Sequence, residues 1–296
     1  MKLITYKLKE HGNEMIGIVS KDGQKIFPIS QFDIYYASMN EFIENISSAE
    51  LELLKSKAEK EHDQFVALDN TIKVAPIVHP KQDIICLGIN YMAHAEESAR
   101  FKQEAFGGER PYAVYFSKRV NEAVADQDEI PGYEGLVDSL DYEAELALII
   151  GKDAKNVKEE DAFDYIFGYT IINDVSARNL QTAHKQWYFG KSLDGFTPMG
   201  PVIVTTDEFD NPPKLDIKSY VNGELRQDSN TELLIFGIAH VVSELSKGMT
   251  LKAGTIISMG TPAGVGMGFV PPRFLKKGDV VTCEIEGIGK LTNTIG

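Results

Sequence analysis

A chain of 296 residues, 43% of them apolar, is long enough to bury a sizeable core and suits one large domain with a smaller companion. Its 44 acidic residues against 30 basic ones leave a net charge of −14, which argues against nucleic acid and anionic membrane surfaces as partners. A small anionic substrate stays open, because a bound dication and a few placed lysines or arginines reverse the field locally. No apolar run is long enough to span a bilayer and residues 1–7 lack the apolar stretch of a signal peptide, so the expectation is a cytoplasmic protein.

Residues 3–8, 15–19 and 25–29 read as short strands separated by the polar turns His11-Gly12-Asn13 and Lys21-Asp22-Gly23. Ser38 with Glu41, and Ser47 with Glu50, have the spacing of helix-opening capping boxes. The Pro-bounded segment around Pro76 and Pro80 places a domain boundary there, giving a small N-terminal domain over 1–75 and a larger catalytic one over 76–296. Cys86 and Cys283 lie in apolar runs without paired spacing and are expected to be buried thiols.

Residues 83–88 form an apolar run typical of a buried strand, and a helix beginning near Tyr91 would set His94 and Glu97 on one face. A carboxylate there orients an imidazole for general-base work, although on spacing alone an exposed helix pair of no catalytic meaning is the better reading. Residues 111–116 are another strand candidate, after which Lys118 reads best as the end of an edge strand, with a substrate carboxylate as its alternative partner.

In the run Asp141-Tyr142-Glu143-Ala144-Glu145 strand alternation puts Glu143 and Glu145 on one face, opposite Tyr142, Ala144, Leu146 and Leu148. Residues 158–168 read as a short helix with acids in its first turn and Gly168 at its C-cap. The β-branched run that follows carries Asp174 to a strand end. Three carboxylates without Cys or clustered His suit a hard divalent ion, Mg²⁺ or Mn²⁺, while an E-x-E pair alone is also common on solvated sheet faces.

The Gly and Pro density of residues 184–201 predicts an irregular loop, in which Lys191 either holds an enolate or carboxylate oxygen or pairs with Asp194 at the surface. Strands are expected at 202–205 and 215–221, a hairpin at Asn222-Gly223 and a helix over 235–245. The glycines of 260–268 do not form a phosphate loop, and close backbone approach to a small ligand is the better reading. Residues 277–293 close the chain as a hairpin.

These motifs, in this order over residues 80–296, make the chain resemble the fumarylacetoacetate hydrolase family: Gly88-Ile89-Asn90-Tyr91 with His94 and Glu97, Asp141 to Glu145, Asn173 to Arg178, Gly190-Lys191 to Pro201, and Gly260 to Val265. The resemblance implies a mixed α+β, β-rich fold, a twisted β-roll beside a small N-terminal α/β domain, and a homodimer. It implies that Glu143, Glu145 and Asp174 hold Mg²⁺ or Mn²⁺, that His94 and Glu97 activate water, and that Lys191 contacts substrate. Arg178, Gln181 and Thr261 fall on substrate-pocket positions. The expected reaction is C–C hydrolysis of an acylpyruvate such as fumarylpyruvate or acetylpyruvate, the substrate being a small anionic 2-oxo acid. The alternative is a lyase or isomerase (oxaloacetate decarboxylase, 2-oxo-alkenoate hydratase or 2-hydroxy-diene dioate isomerase), and less favoured is a non-catalytic metabolite binder. Two positions depart from the family pattern: Asn179 replaces the usual Asp after the Arg, which removes a local ion pair, and residues 120–129 lack a Gly-Pro step before Ile130.

Overall fold

The computed structural model describes residues 1–103, 108 and 111–296. Its frame is an eleven-stranded sheet in the order Val66–Ala67, Lys25–Pro28, Met15–Val19, Lys2–Lys7, Met199–Thr205, Ile166–Asn173, Ala144–Ile150, Ile256–Ser258, Ile84–Gly88 and Val114–Lys118, with Ile72–Lys73 also paired to Lys2–Lys7. The chain passes the boundary anticipated near residue 75 without leaving this sheet, because Leu3 pairs with both Ile203 and Ile18.

A second sheet runs Glu224–Asn230, Asp216–Val221, Val280–Ile285, Gly289–Ile295 and Glu129–Ile130. Its Ile217, Val281, Cys283 and Leu291 share one core with Leu146, Leu148, Tyr169 and Ile171 of the first. Alternation supplies the other core: Ala147, Ile149, Ile172 and Ile203 meet Met39, Phe42 and Leu54 of the two N-terminal helices. The strand Ala144–Ile150 is therefore buried on both faces, and each fully buried Leu or Ile contributes roughly 1.5–3 kcal/mol. Both cysteines are buried and free.

Local sequence explains most element ends. The helix Ser48–Ala58 opens with a complete capping box between Ser47 and Glu50. At Met39–Asn45 only half of the box forms, because the Glu41 carboxylate accepts from Ala37 N–H instead. Asn222 and Gly223 carry φ of 52° and 80°, the left-handed pair that a tight hairpin requires. The amphipathic stretch forms the helix Ile238–Gly248.

Two expectations need correction. Residues 159–165 form a 3₁₀ helix, and Gly168 is no cap but lies inside the strand Ile166–Asn173. A Cβ there would stand 2.4 Å from the Val204 carbonyl oxygen, so this glycine serves strand approach. Residues 184–201 are not all irregular, since they hold the one-turn helix Tyr188–Lys191 and the start of the strand Met199–Thr205. Among the described residues no helix is long and apolar enough to cross a membrane.

Candidate active site

Antiparallel pairing sets Ala144 against Asn173 and Glu145 against Ile172, so the start of one strand and the end of the other bring their acids together. Asp174 N–H donates to the Glu143 carbonyl at 2.8 Å, and Glu143 N–H donates to Asn173 Oδ1 at 3.0 Å. Glu143, Glu145 and Asp174 are all buried, and each offers an oxygen within 4.8 Å of the others.

Cations interleave with these acids. Lys191 Nζ lies 2.8 Å from Glu143 Oε2 and 2.6 Å from Asp174 Oδ2, so its surface pairing with Asp194 does not occur. Arg178 Nη1 lies 2.7 Å from Glu143 Oε1. Lys118 does end an edge strand, but its ammonium does not face solvent: it is fully buried, 2.8 Å from Asp174 Oδ1. It also donates to the carbonyls of Val175 and Lys191. The doubt that Asn179 cast on Arg178 is answered by Asp141, whose Oδ2 accepts from Arg178 Nε at 2.9 Å. Asn179 instead donates to the Leu136 carbonyl. Asp141 was not among the expected site residues, although alternation continues from it through Glu143 to Glu145 and would have marked it.

Four carboxylates (Asp141, Glu143, Glu145, Asp174) thus face three cations (Lys118, Arg178, Lys191) away from water. Burial, then the Asp174 and Glu143 charges, push the Glu145 pKa well above the carboxylate range. Burial also opposes ionisation of Glu143, but Lys191 and Arg178 outweigh it and hold that pKa well below the usual range. Burial works against the Lys191 ammonium, yet Asp174 and Glu143 raise its pKa. Glu145 spends Oε2 on Ser258 and Gly260, and Asp174 Oδ1, beside Lys118, accepts no well-directed hydrogen bond. An all-oxygen donor set with an under-satisfied buried oxygen fits a hard divalent cation, which would relieve the like-charge crowding at Glu145.

The facing wall is the helix Met92–Lys102. His94 Nδ1 lies 3.1 Å from Glu97 Oε2, and both side chains are buried. Glu97 also accepts from Gly264 N–H at 3.1 Å. With Nδ1 engaged, Nε2 is the ring nitrogen left for a ligand, and His94 lines the cavity together with Glu143, Glu145, Arg178 and Lys191.

Gln181 and Thr261 line the same cavity. Gln181 Oε1 accepts from Arg178 Nη1, which leaves its amide N–H groups as donors. The Thr261 hydroxyl is committed, donating to the Ala144 carbonyl and accepting from Gln227. In the same lining the Trp187 ring lies on the backbone of Gly88, where a Cβ would stand 2.1 Å from the indole, and it also packs edge-on against Phe116.

Comparison with known proteins matches residues 83–296 to the family described as Fumarylacetoacetate (FAA) hydrolase C-terminal. Oxaloacetate tautomerase YisK of Bacillus subtilis (strain 168) is 47% identical over 222 residues, spanning 75% of this chain and 72% of that protein. The fumarylacetoacetate hydrolase EaFAH from Exiguobacterium antarcticum superposes with a TM-score of 0.81 at 37% identity, covering 100% of this chain and 99% of that one. A maleylpyruvate hydrolase from Sphingobium sp. SYK-6, solved in complex with manganese(II) and pyruvate, superposes with a TM-score of 0.76 at 28% identity over 100% and 98% of the two chains. With a sheet-rich mixed α/β architecture, a buried acidic triad and this similarity along most of its length, the chain belongs to the fumarylacetoacetate hydrolase family.

Proposed function

We propose that this chain is a divalent-metal-dependent enzyme that interconverts the keto and enol forms of a small 2-oxo dicarboxylate such as oxaloacetate. The observation that carries this reading is the placement of His94, oriented by Glu97, in one cavity with buried carboxylates and the two cations Lys191 and Arg178. The Bacillus subtilis relative bears an oxaloacetate tautomerase name.

Glu143, Glu145 and Asp174 would hold the ion, which when bound supplies Lewis-acid polarisation of the 2-oxo group. His94 Nε2 removes the proton from the carbon next to that group, and Glu97 stabilises the imidazolium that results. Lys191 offers its ammonium to the oxygen that gains charge. Gln181 supplies neutral donors to a substrate carboxylate, and Arg178 keeps the Glu143 carboxylate in place. His94 then returns the proton, to oxygen in one direction and to carbon in the other.

The second reading is acylpyruvate hydrolysis, favoured by the likeness to a maleylpyruvate hydrolase and by the equal suitability of His94 and Glu97 for activating water. One experiment separates the two. Decay of enol-oxaloacetate absorbance and release of pyruvate from acetylpyruvate and fumarylpyruvate are followed with Mg²⁺ or Mn²⁺, in the native protein and in His94→Gln. Tautomerisation lost in the variant, with no pyruvate released, supports the first reading; pyruvate release lost in the variant replaces it with the second. The homodimer and the cytoplasmic location expected from the sequence belong to the same proposal.

A further inference from the structure

The turn from Gly260 to Gly268 touches both walls of the cavity through its backbone. Gly264 N–H holds Glu97, while Gly266 N–H and Met267 N–H donate to the two oxygens of Asp141 at 2.6 and 3.0 Å. Asp141 in turn carries Arg178, and Arg178 carries Glu143. Gly264 is itself pinned from behind, because the fully buried Tyr142 donates its hydroxyl hydrogen to the Gly264 carbonyl at 2.7 Å. Gly264 admits no side chain, with φ of 105° and a prospective Cβ 2.0 Å from the Arg226 carbonyl oxygen, and a Cβ at Gly268 would fall 1.6 Å from Glu97 Oε1 and force that carboxylate aside.

We propose that this turn is a positioning device that sets the His94–Glu97 pair in register with the acidic cluster, and that Tyr142 and Gly268 are its positioning residues. The Tyr142 hydroxyl fixes where the Gly264 N–H points, and the bare α-carbon of Gly268 leaves the room in which the Glu97 carboxylate reaches His94. Neither residue contacts the acidic triad through its side chain in this scheme, so metal affinity is separable from dyad geometry. The inference rests on the proposed role of His94 in proton transfer.

The test uses the full chain, with Tyr142→Phe, Gly268→Ala and the double variant Gly268→Ala with Glu97→Asp, whose shorter side chain makes room for the added methyl. Three quantities are read: kcat and KM for the enol–keto conversion, Mn²⁺ affinity by electron paramagnetic resonance, and the His94 ring ¹⁵N resonances, assigned by their loss in His94→Gln. Tyr142→Phe is expected to lower kcat about ten-fold, the scale of one hydrogen bond. Gly268→Ala is expected to lower it about a hundred-fold, the scale of a 1 Å misplacement. KM and Mn²⁺ affinity should hold in both while the His94 resonances move, and the double variant should restore part of the shift. Unmoved His94 resonances in Tyr142→Phe, or Mn²⁺ affinity falling in step with kcat, would overturn the proposal. Should the native protein turn over none of the substrates, the proposed function fails, and the His94 resonances still decide whether the turn positions the dyad.

Discussion

The acidic wall of the cavity is assembled from strand ends, and the wall facing it from one helix and one turn. In the acidic wall every charge except Glu145 meets at least one buried counter-ion: Lys191 bridges Glu143 and Asp174, Arg178 bridges Asp141 and Glu143, and Lys118 closes on Asp174. The helix wall holds a single imidazole and carboxylate, tied down by a backbone N–H from Gly264. The helix itself starts at Met92 without a side-chain cap, shortly after Ile89, which is in left-handed conformation at φ 59°. Under the proposed function, affinity and electrostatics therefore reside in the wall built on the sheet, and proton transfer in the wall that local geometry tunes.

The largest blow to that division of labour is Glu143→Ala. It removes a candidate ligand and leaves Lys191 and Arg178 under-paired; turnover should fall at least about 1,000-fold. The Mn²⁺-induced rise in melting temperature should also vanish; in the native protein a hundred-fold excess of metal over Kd would add about 2.7 kcal/mol. Next comes His94→Gln, in which turnover should drop by about 10² to 10⁴ with the Mn²⁺-induced rise intact. A parallel loss of metal response would break the comparison, because it would make the helix wall part of the metal site. Lys118→Met sharpens it from the stability side: removing one partner of a buried ion pair should cost about 3–5 kcal/mol, read as a fall in the denaturant midpoint. The smallest effect belongs to Asn179→Asp, which restores the usual family residue. It exchanges the hydrogen bond to Leu136 for a carboxylate beside a carbonyl, costing about 1 kcal/mol, and turnover should hold because Asp141 already carries Arg178.

What could be read from sequence was local. Strand alternation placed Glu143 and Glu145 on one face, helical spacing placed His94 beside Glu97, and Asn222-Gly223 announced its hairpin. What escaped was decided by distant chain. Lys118 sits at the end of an edge strand, and only the fold shows that Asp174 closes over it. Gly168 resembled a cap because nothing nearby reveals that Val204 runs against it. Arg178 looked unsupported by its neighbour at 179, since its partner Asp141 lies 37 residues earlier. Each of these three is a long-range contact, and of the participants only Asp141 falls on an alternation that could have been read.

The contact of Trp187 with Gly88 ties the shape of the cavity to a glycine. The indole rests on bare peptide with no side chain between them, so ring and backbone together set this part of the cavity lining. The hydrogen atom at position 88 sets the height of the ring above it, and any methyl there would have to lift the indole and reshape the lining it provides.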